Sequence, residues 1–206
     1  MSNQFLNNEI REQGSSERAL ISTAYHLLIK HQEKPLSVSQ LIKVAGVSRS
    51  SFYKYFASKE DLFAAILLNE ELLIRQMLTK VQSYDSVSDL MKAYLNYCLQ
   101  NIEKYKLLIQ LEQDLQYHTE KINRFEQWKT LRSNNVDEFT RIVKSKSTKS
   151  SQLDSESIRF YYGLVWSIAA GVAQLSDSEY FHQLIADRRG FSKFLIESVS
   201  IIGEVK

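Results

Sequence analysis

Hydroxyl, phenol and cationic side chains are concentrated in one short stretch, which reads SRSSFYKYFASK from Ser48 to Lys59. Such groups donate hydrogen bonds or carry positive charge, which is the chemistry that binds phosphates and base edges of a nucleic acid. From Lys34 to Lys59 the chain has five Lys and Arg residues and no acid, although its whole net charge is only +2. The stretch therefore indicates a polyanionic partner. An ordinary solvated face would carry the same charges, so the interpretation depends on the elements that hold them.

Motifs for catalysis or metal binding do not occur in the sequence. The four histidines are scattered without a His-x-x-x-His pair, and there is neither a glycine-rich phosphate loop nor a Gly-x-Ser-x-Gly motif. The single cysteine, Cys98, has no Cys or His neighbours at metal-ligand spacing. We therefore expect a protein that is not an enzyme and that needs no metal or cofactor.

The N-terminus has no apolar segment of signal-peptide length. The longest apolar run, Phe160–Leu175, has 16 residues, whereas a membrane span needs about 20. A lone cysteine suits a reducing compartment. The sequence thus predicts a cytoplasmic protein that does not associate with a membrane.

Local signals place the basic stretch on a pair of helices. SVSQ (Ser37–Gln40) is a capping box that starts a helix, and Gly46 stands where a left-handed residue would end it. Ser48 then caps a short third helix, about Arg49 to Tyr55, of which Phe52 and the following Phe56 would face inward. Two helices joined by such a short turn form a helix-turn-helix.

The remainder of the chain also favours helices, because it has only one proline and six glycines. We predict an all-α fold of about nine helices, with a three-helix N-terminal domain and a larger C-terminal helical bundle. The predicted helices are about Ser16 to His31, Ser37 to Ala45, Arg49 to Tyr55, Ser58 to Val81, and then 87–103, 105–116, 119–144, 155–175 and 189–203, with a turn or short helix near 178–186.

The segment VSQLIKVAGVSRSSFYKYFASKEDLF (Val38–Phe63) resembles the TetR family of bacterial transcription regulators. The family pattern is an apolar helix followed by Ala-Gly-Val-Ser, a helix ending in aromatic-x-aromatic-Phe, and then Ser-Lys-Glu-x-Leu. The match covers roughly residues 16–65, and the rest agrees only in length and helix count. Ile42 replaces a common alanine, which affects helix packing, and Ser50 replaces a frequent glycine.

The resemblance implies binding to double-stranded DNA at a palindromic operator. The residues expected to bind DNA are Ser37, Ser48, Arg49, Ser50, Ser51, Tyr53, Lys54, Tyr55 and Lys59. Tyr53 and Tyr55 would reach phosphate or sugar through their hydroxyls, unless one of them is simply packed. Lys59 opposes the dipole at a helix start, which makes sense if a phosphate lies there. The remaining cations and serines of the third helix would contact base edges or the backbone.

By the same resemblance, a flexible tail (1–13) precedes a DNA-binding domain (14–65) and a domain for effector binding and dimerisation (66–206). The expected function is a repressor that a small hydrophobic or aromatic effector releases from its operator. The alternative is an activator, or a regulator that binds no small molecule and responds to a protein partner. Candidate pocket residues are Tyr94, Cys98, Trp128, Tyr161 and Trp166, although aromatics at helical spacing also suit a plain core.

Small residues recur every four positions along the apolar run, at Gly163, Ser167 and Gly171, and would let another helix approach closely. Tyr162, Trp166 and Ala169 lie on a neighbouring face and would fill the core of the subunit. The small stripe could also be packed inside one subunit, but the resemblance implies a homodimer formed by the last two long helices. The candidate interface residues are Gly163, Ser167, Ala170, Gly171, Phe191, Phe194, Leu195, Ser198 and Ile202.

Overall fold

Helices form all of the regular secondary structure in the parts of the chain that the structure, a computed structural model, describes: residues 2–30, 36–79, 87–146 and 154–202. Within those ranges there are ten helices and no strand, so the predicted all-α class is confirmed. The helices are α1 (Ser2–Lys30), α2 (Val38–Ala45), α3 (Arg49–Tyr55), α4 (Lys59–Thr79), α5 (Val87–Leu99), α6 (Ile102–Gln116), α7 (Asn123–Lys146), α8 (Ser155–Leu175), α9 (Glu179–Leu184) and α10 (Arg188–Ile202).

Several helices differ from the sequence prediction, namely α1, α9 and the ends of α5, α6 and α7, which were predicted as 87–103, 105–116 and 119–144. Helix α1 begins at Ser2, so the predicted start near Ser16 is wrong; the added residues include no proline that would end a helix. The flexibility of residues 1–13 stays a prediction, and Met1 lies outside the described residues, as do the predicted helix ends at His31 and Val81. The segment near 178–186 is a true helix, α9, because the Ser178 hydroxyl accepts the Phe181 N–H at 3.2 Å and caps it. The count is therefore ten rather than nine.

The chain divides into two compact units. Unit 1 consists of Met1–Asn69 together with Leu111–Trp128, and unit 2 consists of Glu70–Gln110 together with Lys129–Lys206. The helix-turn-helix is thus accompanied in unit 1 by a segment that follows it by more than forty residues. The predicted domain boundaries at residues 13 and 65 stay a prediction.

In unit 1, capping residues fix both ends of α2. The Gln40 N–H donates to Ser37 Oγ at 3.2 Å, and the Ser37 N–H donates to Gln40 Oε1 at 3.1 Å, which is the predicted capping box. Gly46 ends the helix in the left-handed region, with φ 66° and ψ 26°. Ser48 then begins α3 by accepting the Ser51 N–H at 3.0 Å. The turn between the helices is therefore defined by local hydrogen bonds.

The core of unit 1 consists of side chains from each of its first four helices, which are completely or almost completely buried. They are Leu20 and Ala24 of α1, Leu41 of α2, Phe52 of α3, Phe56 just after it, and Leu62 of α4. The rings of Phe52 and Phe56 lie 5.5 Å apart between centroids. As predicted, these two rings bury the inner side of α3.

In unit 2, α8 packs one face into a core shared with α5, α7 and α10. Its buried residues follow a single helical stripe and are Ile158, Tyr162, Val165, Ala169 and Ala173. The expectation that Trp166 fills this core is wrong: Trp166 lies beside the stripe, is 37% exposed, and packs its ring 4.6 Å from the Arg132 guanidinium. None of the described helices is long and apolar enough to cross a membrane.

Gly46→Ala should lower the free energy of unfolding by about 1 kcal/mol, because an alanine is strained at positive φ. An added Cβ would meet nothing within 4 Å, so the cost is one of backbone conformation alone. Gly46→Asn should cost less, since asparagine tolerates this region. Guanidinium unfolding followed by circular dichroism measures the difference. Equal midpoints for the glycine and alanine proteins would contradict the assigned role of Gly46.

Candidate nucleic-acid interface

Helix α3 has one buried and one exposed side. Phe52 is fully buried, whereas Arg49, Ser50, Tyr53 and Lys54 are exposed. Ser51 and Tyr55 are half-buried at the edges of the exposed side. The structure therefore places the hydrogen-bonding and cationic groups of the helix together on its outward side, as the sequence predicted.

Local contacts orient several of these side chains. The Arg49 guanidinium lies 5.7 Å from the centroid of the Tyr53 ring, one turn further along the helix. The Ser50 and Ser51 hydroxyls lie 2.8 Å and 2.9 Å from Ser48 Oγ, so the three serines form one hydroxyl cluster at the start of α3. Serine hydroxyls both donate and accept, so this cluster keeps hydrogen-bonding capacity for a ligand.

Lys59 is the first residue of α4 and is half-buried. Its Nζ lies 5.5 Å from the centroid of the Phe63 ring and 3.7 Å from Glu60 Oε1. Partial burial would raise the pKa of the Glu60 carboxyl, but hydrogen bonds from its own backbone N–H and from Ser58, together with Lys59, lower it below its usual range. Glu60 thus offsets part of the Lys59 charge. The interpretation of Lys59 from the sequence did not take this neighbour into account.

A residue that the sequence analysis missed lies against the end of α3. Arg124, near the start of α7, donates from Nη2 to the Tyr55 carbonyl at 3.4 Å. The two residues are 69 positions apart in the chain. No local motif marks such a pair, so periodicity and capping signals could not have found it.

The predicted pocket residues fall into both units. Trp128 belongs to unit 1, where its ring stacks on Phe125 at 5.1 Å, whereas the other four belong to unit 2. Tyr94 is buried, stacks on Tyr162 at 5.2 Å, and has its hydroxyl 3.0 Å from that of Tyr162. Tyr161 is half-buried and Trp166 partly exposed. The pocket itself stays a prediction, and Tyr162 is a polar core neighbour that it omitted.

Buried ionisable groups surround Tyr94 in unit 2. Burial raises the pKa of the Cys98 thiol to about 12, and it also raises the pKa of the Tyr94 and Tyr105 phenols above their usual range. These groups are therefore neutral in the folded protein at ordinary pH. Within the described residues, no group of three or more His, Cys, Asp and Glu side chains could hold a metal ion.

The predicted interface residues lie mostly at the surface. Ser167, Gly171 and Phe194 are exposed, and the remaining described ones are half-buried, namely Gly163, Ala170, Phe191, Leu195 and Ser198. The side chain of Ile202 lies outside the described residues. The Ser167 and Ser198 hydroxyls donate to carbonyls of their own helices at 2.8 Å and 2.7 Å, so neither is left without a partner. A Cβ added at Gly163 or Gly171 would meet nothing within 4 Å.

Residues 20–66 match the family model described as bacterial regulatory proteins, tetR family. This segment is therefore a domain of the tetR-family type. The matched range includes α2, the turn at Gly46 and α3, on which the resemblance seen in the sequence was based. The family model therefore confirms that resemblance.

The TetR-family domain also has a curated relative, the HTH-type transcriptional regulator EthR of Mycolicibacterium smegmatis. The two chains are 41% identical over 51 residues, which is 25% of this chain and 24% of the relative. The matched segment thus spans about a quarter of that protein's length.

Two solved structures share the fold over most of the chain. A bacterial regulatory protein in the tetR family from Rhodococcus RHA1 has a TM-score of 0.64 at 15% identity, covering 90% of this chain and 95% of its own. Salmonella enterica GusR has a TM-score of 0.59 at 14% identity, covering 90% of this chain and 94% of its own. At these identities the likeness concerns the fold alone.

Thiol labelling should report the buried state of Cys98, the only cysteine of the chain. At pH 8 the thiolate is the reactive species, so the folded protein should react with an aromatic disulfide at least about a hundredfold more slowly than the unfolded chain. The rate for the unfolded chain should rise through pH 8 to 9, whereas that for the folded protein should stay low, because its pKa is about 12. Fast labelling of the folded protein would contradict the burial of Cys98.

Proposed function

We propose that this chain is a sequence-specific regulator of transcription that binds double-stranded DNA as a homodimer. The observation that carries the proposal is the outward side of α3 in a TetR-family helix-turn-helix. This side presents cations, hydroxyls and phenols, while Phe52 anchors the other side. Every feature needed to present a short helix to a DNA groove is therefore present in one domain.

The dimensions of α3 suit the major groove. The helix has seven residues, and the groove is about 12 Å wide, which admits an α-helix. Arg49 and Lys54 can donate to base edges or to phosphates, as can the serine hydroxyls. Tyr53 and Lys59 flank these groups and can reach the phosphodiester backbone. From residue 36 to residue 59 the chain has no acid, so nothing there repels phosphate.

A homodimer would let two short helices recognise two half-sites of a palindromic operator. The small stripe of α8 supports this pairing, because Ser167 and Gly171 are exposed and a Cβ added at Gly163 or Gly171 would meet nothing within 4 Å, which leaves room for a helix from a second subunit. Phe194, 61% exposed on α10, would bury apolar surface in the same contact.

Regulation by a small molecule is the finer part of the proposal. We propose a repressor that a small hydrophobic or aromatic effector releases, with Tyr94 and Cys98 in the binding region of unit 2. The effector would act only through different affinities for the DNA-binding and released states. An activator, or a regulator that binds a protein partner instead, would use the same helix-turn-helix, so both remain alternative functions.

Lys59→Ala and Tyr53→Phe should each weaken binding to all DNA sequences, because phosphate contacts carry no base information. Losing Lys59 should also reduce the slope of log affinity against log salt by about 0.9, the value for one phosphate. Genomic footprinting with the purified protein would first identify the operator, and fluorescence anisotropy would then measure both quantities. Lys92→Ala, in α5 of unit 2, is the matched control. An unchanged salt slope for Lys59→Ala would disprove the phosphate contact.

Gly171→Arg should yield a folded but monomeric protein with much lower operator affinity. Gly171 is exposed and a Cβ added there would meet nothing within 4 Å, so a folding defect is not expected. If a helix of a second subunit packs against the small stripe, however, the arginine side chain would occupy the space that this helix needs. Sedimentation velocity at micromolar concentration measures the assembly, with Gln110→Arg on an exposed position of α6 as control. A dimer that persists in Gly171→Arg would show that the subunits pair through another surface.

A further inference from the structure

Arg124 contacts three helices of the DNA-binding unit at once. Its Nη2 lies 3.4 Å from the Tyr55 carbonyl of α3 and 3.5 Å from Glu17 Oε1 of α1. Its Nε lies 3.7 Å from Asp61 Oδ1 of α4. The guanidinium carbon also lies 5.1 Å from the centroid of the Phe56 ring. All of these residues belong to unit 1, so the contacts are internal to that unit.

The position of Arg124 matches what the end of α3 needs. The last carbonyls of a helix have no partner within the helix, and a cation is favourable there. Tyr55 is the last residue of α3, and Arg124 supplies both a donor and a positive charge to its carbonyl. The same guanidinium covers Phe56, one of the two rings that anchor the helix.

The Asp61 carboxylate, which faces Arg124, also stabilises the turn from α3 to α4. Asp61 Oδ2 accepts the Ala57 N–H at 3.0 Å, while Asp61 Oδ1 faces Arg124. Tyr55, Ala57 and Asp61 are therefore linked through one carboxylate and one guanidinium. Only a planar group with several donors can serve these partners together, which a lysine cannot do.

We propose that Arg124 is a positioning residue for α3: its guanidinium fixes the direction in which the helix points from unit 1, without itself touching DNA. This inference rests on the proposed function. The charge of Arg124 already faces two carboxylates, and only 25% of its side chain is exposed. A phosphate would have to compete with Glu17 and Asp61, so a direct contact is disfavoured.

The variants Arg124→Lys and Arg124→Ala test the role, with Arg159→Lys as the matched control. Arg159 belongs to unit 2, where its Nη2 forms an exposed ion pair with Asp137 Oδ1 at 2.6 Å. Hydrogen exchange followed by mass spectrometry would measure the protection of amides 49–58. Anisotropy would measure affinity for a duplex selected by the wild-type protein from a random-sequence pool, and for sheared DNA of mixed sequence.

Arg124→Lys keeps the charge and should fold, but its amides 49–58 should exchange at least about fivefold faster. Its affinity for the selected duplex should fall about tenfold, while its affinity for mixed-sequence DNA and its salt slope should match those of the wild type. Arg124→Ala should show the same pattern with larger changes, and Arg159→Lys should show neither. This combination separates positioning from a general loss of stability, which would lower both affinities together.

Two results would overturn the proposal. A salt slope reduced by about one phosphate in Arg124→Lys would make Arg124 a direct DNA contact. Unchanged exchange at residues 49–58 would show that Arg124 does not order α3. If the wild-type protein selects no DNA sequence, the proposed function fails, and the exchange comparison alone then supports or overturns the ordering of α3 by Arg124.

Discussion

Burial of two phenyl rings holds the short helix α3 in place. A seven-residue helix is unstable in water by itself, because nucleation costs more than so few hydrogen bonds return. Phe52 and Phe56 supply the missing stabilisation by packing fully into the core of unit 1. Because two large side chains suffice for anchoring, the other positions of the helix are free to carry polar groups.

Capping residues stabilise the backbone of α2 and α3, in addition to the burial of the two phenyl rings. Ser37 fixes where α2 begins, Gly46 where it ends, and Ser48 where α3 begins, so the turn between the helices is set by hydrogen bonds and one left-handed residue. Arg124 fixes the opposite end of α3. The outward side chains are thus presented from a helix that is held at both ends and along its inner side.

Local signals explain why so much of unit 1 could be predicted from the sequence. The caps at Ser37 and Ser48 act over three residues, and the Phe52–Phe56 pair over four, so each is visible in a short window. The start of α1 could not be predicted, because no cap or breaker marks it. Trp166 was assigned wrongly because it is adjacent to the buried stripe, and small angular differences on a helix decide burial. Arg124 depends on a contact across 69 residues, which periodicity does not encode.

The discontinuity of unit 1 has a consequence for how the chain folds during synthesis. Residues up to 69 emerge from the ribosome well before Leu111–Trp128, which complete the unit. The nascent helix-turn-helix therefore acquires its caps and phenyl anchors early, but its contact with Arg124 only after α7 has begun to emerge. A contact between residues so far apart in the chain raises the contact order of unit 1, whose other contacts are mostly local. It therefore slows the last step in the folding of this unit. The outward side of α3 thus acquires its contact with Arg124 only after the later segment of unit 1 has been made.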